Sequence, residues 1–134
     1  MKIRIKGNSL RFRLTRQETM QLAAEGRVEN QMEIAGQVFR YTVETGSAVE
    51  AAAALLVPFE IKVVAPRATV ESWTSTDAVG FYAEQPGAGG GRLSIAVEKD
   101  FRCLDPRRDE DESDHFDNPL VGQAHPTTCA QETK

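Results

Sequence analysis

The chain has 134 residues, 40% of them hydrophobic and 27% charged, enough for one globular core and too few to expect two. Its formal net charge of -4 and pI near 5.2 argue against nonspecific nucleic-acid binding. Its longest apolar run, Ala51 to Pro58, is far below the ~20 residues that cross a bilayer. The amino terminus alternates charged and apolar residues and lacks the apolar stretch of a secretory signal. The expectation is therefore a soluble, cytoplasmic protein with no membrane partner, whose two cysteines, Cys103 and Cys129, stay reduced.

In chain order, Ile3 and Ile5 alternate with Lys2, Arg4 and Lys6, and after Gly7-Asn8 the residues Leu10, Phe12 and Leu14 alternate with Arg11 and Arg13. Period two around a turn pair predicts a hairpin with one apolar face. Thr15 and Glu18 form a capping-box pattern that opens a short helix, with Met20, Ala23 and Ala24 at helical spacing and Gly26 ending it. Val28 to Ile34 and Gln37 to Glu44 predict a second hairpin, with Phe39, Tyr41 and Val43 on one face. Ala51 to Leu56 and Phe59 to Val64 predict a third, and Pro66 suits the first turn of a second helix whose Val70 and Trp73 face the core. Val79 to Glu84 and Arg92 to Glu98 form a fourth hairpin, with Leu93, Ile95 and Val97 on one face. The glycine-rich Pro86 to Gly91 precedes a strand instead of a helix, so it reads as the hairpin connection and not as a phosphate loop.

Both halves thus read strand, strand, helix, strand, strand, repeated at about 50 residues, with Leu14 opposite Val64, Met20 opposite Val70 and Ala23 opposite Trp73. The fold class this predicts is α+β: a mostly antiparallel sheet or partly closed barrel with two short helices, built by internal duplication. A single domain over residues 1–101 would be followed by an acidic, largely irregular tail over 102–134.

Charge is distributed unevenly. Lys2, Arg4, Lys6, Arg11 and Arg13 alternate along the first hairpin, and no acid precedes Glu18. Asp100, Asp105, Asp109, Glu110, Asp111, Glu112, Asp114 and Asp117 crowd the start of the tail. The basic ribbon is a candidate site for an anionic ligand or for docking of the acidic tail, from the same chain or a second subunit. Its plainer reading is the solvated outer face that every one-sided sheet has, with lysine guarding the edge. It lacks the interleaved aromatics that stack single-stranded bases. Exposed ion pairs contribute only ~0–1 kcal/mol each, so apolar residues must supply any anchoring of the tail.

Cys103, His115, His125 and Cys129 are ligand types of a tetrahedral zinc site. Only His125 and Cys129 are close in sequence, so the pair spacing that pre-organises structural zinc is missing, and zinc stands as the alternative to no cofactor. The acids fail the calcium-loop pattern: counted from Asp109, the sixth position is Asp114 where a glycine is needed, and the twelfth is Leu120 where a glutamate is needed. Cys103 beside Arg102 is a candidate reactive thiol, opposed by Asp100 and Asp105. With no nucleophile motif, the expectation is a non-catalytic binding or interaction module with a protein partner or homo-oligomer. A metal-binding or thiol-based protein is the competing reading.

MKIRIKGNSLRFRLT at the start and VEKDFRCLDPRRDEDESDHFDNP near the end together resemble a family of small bacterial proteins described as a domain of unknown function. The resemblance spans about residues 1 to 120 and implies no activity, ligand or catalytic residue. It does imply that the segment after Glu98 is anchored, with Phe101 and Phe116 packed on the domain and Cys103 half-buried. Phe116-Asp117-Asn118-Pro119 departs by an aspartate from the Phe-Pro-Asn-Pro ending of the relatives.

Overall fold

The computed structural model describes residues 1–101 and 114–117. Elements follow in the order β1 (Lys2–Lys6), β2 (Ser9–Leu14), α1 (Arg16–Glu25), β3 (Arg27–Ile34), β4 (Gln37–Gly46), β5 (Ala53–Val57), β6 (Glu60–Pro66), α2 (Arg67–Ser75), β7 (Gly80–Pro86) and β8 (Arg92–Lys99). The α+β class holds, with two short helices and eight strands. The strands form two separate sheets, ordered β1-β2-β8-β7 and β3-β4-β6-β5, so the partly closed barrel does not form.

Both sheets are mixed. The outer pairs are antiparallel hairpins, and the central pairs, β2 with β8 and β4 with β6, run parallel. Alternation identifies a one-faced strand but carries no direction for its neighbour, which is why the parallel pairs were not expected from sequence. Each sheet takes one hairpin from each half of the chain. Replacing β1 by β5, β2 by β6, β7 by β3 and β8 by β4 converts one strand order into the other.

The core consists of matching rows. In the first sheet Ile3, Phe12, Val97 and Phe81 lie side by side, and in the second Ala54, Val63, Val43 and Val28 do. Phe12, Val97, Val63 and Val43 are fully buried. Fully burying a side chain of this size contributes about 1.5–3 kcal/mol, so these rows, with the equally buried Leu14, Leu22, Val70 and Trp73, form the main apolar core.

The helices pack against the sheets and each other. Thr15 Oγ1 accepts from the Glu18 amide at 3.3 Å and Glu18 Oε1 accepts from the Thr15 amide at 2.9 Å, the reciprocal capping box that the sequence predicts. Gly26, at φ 77°, ends α1 by donating its N–H to the Leu22 carbonyl; a Cβ there would meet Thr45 Oγ1 at 2.9 Å. The buried face of α1 is Thr19 and Leu22, whereas Met20 is 65% exposed and Ala23 faces solvent. The correspondence between halves is therefore one residue longer than the sequence spacing suggests: Thr19 answers to Val70 and Leu22 to Trp73. Trp73 is buried as expected, edge-on to Phe81 at 5.2 Å between ring centroids, with its indole N–H donated to the Val79 carbonyl. Pro66 is the residue before α2, at its N-cap position.

Candidate functional site

Strand alternation and register place every cation of the first hairpin on the outer face of the β1-β2-β8-β7 sheet. Across this face Lys2, Arg13, Glu98 and Gly80 are in line, then Arg4, Arg11, Ala96 and Tyr82, then Lys6, Ser9, Ser94 and Glu84. Small residues on the central strands leave a groove of about 530 Å³, floored by Ser9, Ser94 and Ala96 and flanked by Arg11, Tyr82 and Glu84.

Glu98 organises one end of this face. Its Oε1 lies 3.3 Å from Arg11 Nε and 3.7 Å from Arg13 Nε, and its Oε2 accepts the Tyr82 hydroxyl at 2.8 Å. Burial first, then the hydrogen bond to Glu98 and its charge, push the Tyr82 phenol above its usual value of 10.0, while Arg11 and Arg13 oppose the shift. Gly80 makes room for this cluster: a Cβ would stand 2.5 Å from the Val97 carbonyl and 2.8 Å from Glu98 Cγ. At the other end Glu84 meets Arg92 at 3.3 Å and Ser94 Oγ at 3.4 Å. Among the described residues the strands of this face carry Lys2, Arg4, Lys6, Arg11, Arg13 and Arg92 against Glu84 and Glu98.

Of the expected tail anchors, Phe101 and Phe116 do meet. They form a parallel bridge with ring centroids 5.9 Å apart, and the Phe116 amide donates to the Asp100 carbonyl at 2.9 Å. Residues 114–117, placed in the tail by the sequence division at 101, thus return to the domain. Lys99 Nζ and the Arg16 guanidinium lie 5.4 and 5.8 Å from the Phe116 ring centre. Asp114 covers the start of α1, its carbonyl accepting from the Arg16 amide at 3.0 Å and its Oδ1 from the Gln17 amide at 3.3 Å. An acid at a helix amino terminus is favoured both by the open amides and by the macrodipole.

His115, considered as a zinc ligand, is buried with Nε2 3.3 Å from Asp100 Oδ2, and the same oxygen lies 3.4 Å from Lys2 Nζ. No cluster of three metal-ligating side chains occurs among the described residues; Cys103, His125 and Cys129 lie outside them. Lys99 is buried and donates to the Thr76 carbonyl at 2.7 Å, and this burial lowers its amine below the usual 10.5 while Asp77 opposes the shift.

Sequence reasoning found the cations but missed their counterparts. Glu98 stands beside Arg13, and Tyr82 beside Ala96, only once β8 is known to lie parallel to β2. The signal available was the alternation of Ser94, Ala96 and Glu98, which marks them as a polar face without naming what they oppose.

These features define a small α+β protein with two mixed four-stranded sheets and a cationic outer face. Residues 1–120 match a family of unknown function, DUF7009, and the chain belongs to that family. No curated protein and no solved structure matches it. Among the described residues, no helix is long and apolar enough to cross a membrane.

Proposed function

We propose that this protein is a non-catalytic, cytoplasmic bacterial binding module whose outer sheet face holds an acidic, extended segment of a partner protein. The carrying observation is the alternation of Lys2, Arg4 and Lys6 on the edge strand beside Arg11 and Arg13, next to a groove floored by small residues. Successive cations on one strand face repeat at about 6.6–6.8 Å, the side-chain repeat of an extended peptide. Acids at every second position of such a peptide would meet the cations in register, while its small residues fill the groove. The docked segment 114–117 lies at one end of this face, where Asp100 meets Lys2, so the acids Asp105, Asp109, Glu110, Asp111 and Glu112 that lead into it in the sequence are natural competitors for the same cations. The pseudo-symmetric exchange of hairpins between sheets supports an origin by duplication, after which one copy acquired the binding charges. No resident cofactor enters this reading.

A fluorescein-labelled peptide of alternating Glu and Ser tests it by anisotropy. Binding should weaken steadily with added salt, because the attraction is between exposed charges, and the double variant Arg4→Glu with Lys6→Glu should weaken it at least tenfold. A peptide that does not bind, or binds the double variant equally well, would refute the proposal.

A further inference from the structure

Four strands form the sheet edges: β1 and β7 in one sheet, β3 and β5 in the other. They differ in charge. β3 carries both signs, in Arg27, Glu29 and Glu33, β7 carries Glu84 and ends on Pro86, and β5 carries no charge. Of these edges β1 is the one whose charges share one sign and recur at every second position, Lys2, Arg4 and Lys6, with Ile3 and Ile5 between them. Such a row repels its own kind, which guards the edge against self-pairing. The same row attracts a strand whose acids repeat with the same period.

The backbone of β1 is arranged to receive one. The Leu14 carbonyl accepts from the Asp100 amide at 2.8 Å and the Asn8 carbonyl from the Ser94 amide at 3.1 Å, so the even residues of β2 direct their backbone groups toward β8. Its odd residues, Ser9, Arg11 and Arg13, therefore bond across to their register partners Lys6, Arg4 and Lys2. Alternation leaves the N–H and C=O groups of Ile3 and Ile5 pointing outward, and among the described residues none of them is bonded outside the sheet. Ile5 is 63% exposed. The window is bounded at one end by the Tyr41 hydroxyl, which donates to the Met1 carbonyl at 3.4 Å, and at the other by Gly7, which turns the chain at φ 53°.

We propose that a strand of a partner protein, with acidic and apolar residues alternating, pairs antiparallel with β1 as a fifth strand of this sheet. Its residues opposite Ile3 and Ile5 exchange both backbone hydrogen bonds with them, and their apolar side chains lie on the inner side beside Ile5. Its residues opposite Lys2, Arg4 and Lys6 stand at the non-hydrogen-bonded positions, where Cα atoms approach to about 4.5 Å and side chains meet most closely. An acid at each of these places faces one cation. Charge selects the occupant: a second copy of this chain offers β1 itself, which is repelled, and its other edges lack acids at every second position. The contact rests on the reading above for the acidity of the partner, and holds this stretch of its backbone in the plane of the sheet, apart from the groove. A window of this length makes the contact weak, at the small end of protein interfaces.

Fluorescein-labelled Glu-Val-Glu-Val-Glu, titrated with the full chain and read by anisotropy, tests the proposal. Methylating the amide nitrogens of both valines removes the donors that face Ile3 and Ile5 and should weaken binding about tenfold or more, whereas methylating the central and last glutamate nitrogens, whose N–H groups point away from β1, should leave it within about twofold. In the protein, Ile5→Pro removes one outward N–H at an edge position where proline is tolerated, so the melting temperature should stay near that of the wild-type chain while binding falls. A parent peptide that does not bind, a valine-methylated peptide that binds as tightly as the parent, or equal losses from both methylations would each overturn the proposal. The groove answers to a different peptide. If alternating Glu and Ser binds while the Glu-Val series shows no asymmetry, the edge contact fails and the groove stands; if the asymmetry appears and the Glu-Ser peptide does not bind, the groove alone fails.

Discussion

The hairpins β1–β2 and β5–β6 hold equivalent places in their sheets, yet they present opposite chemistry. Lys2, Arg4 and Lys6 on one edge correspond to Ala53, Leu55 and Val57 on the other. The outer faces beside them differ in the same way. In the second sheet Lys62 pairs with Glu44 at 2.9 Å, Arg27 with Glu29 at 2.6 Å, and Thr42 donates to Glu60 at 2.7 Å. Charges of both signs alternate there, whereas the strands of the first sheet's outer face carry mostly cations among the described residues. The inward rows need only apolar volume, so the outward positions of the same strands are free to differ in chemistry.

The largest expected effect breaks the inward equivalence. Phe12→Ala should cost about 3–5 kcal/mol of unfolding free energy, and Val63→Ala at the matching position of the other sheet about 1–3 kcal/mol, both read from denaturant midpoints. Equal losses would mean that the two rows do not share the core as their burial indicates. Gly80→Ala sharpens the contrast on the outer faces. The added methyl meets a backbone carbonyl that cannot withdraw, so a loss of about 1–3 kcal/mol is expected, along with displacement of Glu98 from Tyr82.

Smaller effects follow at the docked segment 114–117, which caps α1. Asp114→Ala removes an acceptor from the start of α1 and should cost about 0.5–2 kcal/mol in thermal unfolding; an unchanged melt would mean that the segment is not docked in solution. The double variant Arg4→Glu with Lys6→Glu should stay within about 0.5 kcal/mol of wild type in stability while losing the acidic peptide, so that binding and folding separate. The smallest effect is spectroscopic. Ultraviolet titration should show Tyr82 ionising above the usual 10.0, and Glu98→Gln should bring it part of the way down, since burial is the leading cause. Because the raised value favours the neutral phenol in the folded chain, this contribution is complete below pH 10.0 and is lost as pH climbs through the folded value. Lys99 acts in the opposite sense, its folded-state penalty easing as pH rises toward 10.5.

Local chemistry was legible in the sequence where the chain answers to itself. The capping box of Thr15 and Glu18, the Gly26 stop, the turns at Gly7 and Ala35-Gly36, and Trp73 in the core all follow from neighbours within a few residues. The helix phase did not, because Thr19 and Leu22 face inward only as a consequence of where α1 meets β3 and α2. Nor did the ion pairs: Lys2 meets Asp100, and Asp100 meets His115, across separations that no local pattern records. The contact of His115 with Asp100 likewise joins residues that no local pattern links.

The exchange of hairpins also bears on how the molecule assembles. Each half of the chain contributes two hairpins to different sheets, so neither half contains a complete sheet of its own. Phe12 finds its parallel neighbour at Val97, and Val43 at Val63, and the first of these closures spans most of the domain. Long closures slow the search for the native state, and here the slowest one completes the core. Folding should accordingly be all-or-none. A chain cut in the connection between β4 and β5, residues 47–52, should yield two fragments that stay unstructured apart and recover the native spectrum when mixed.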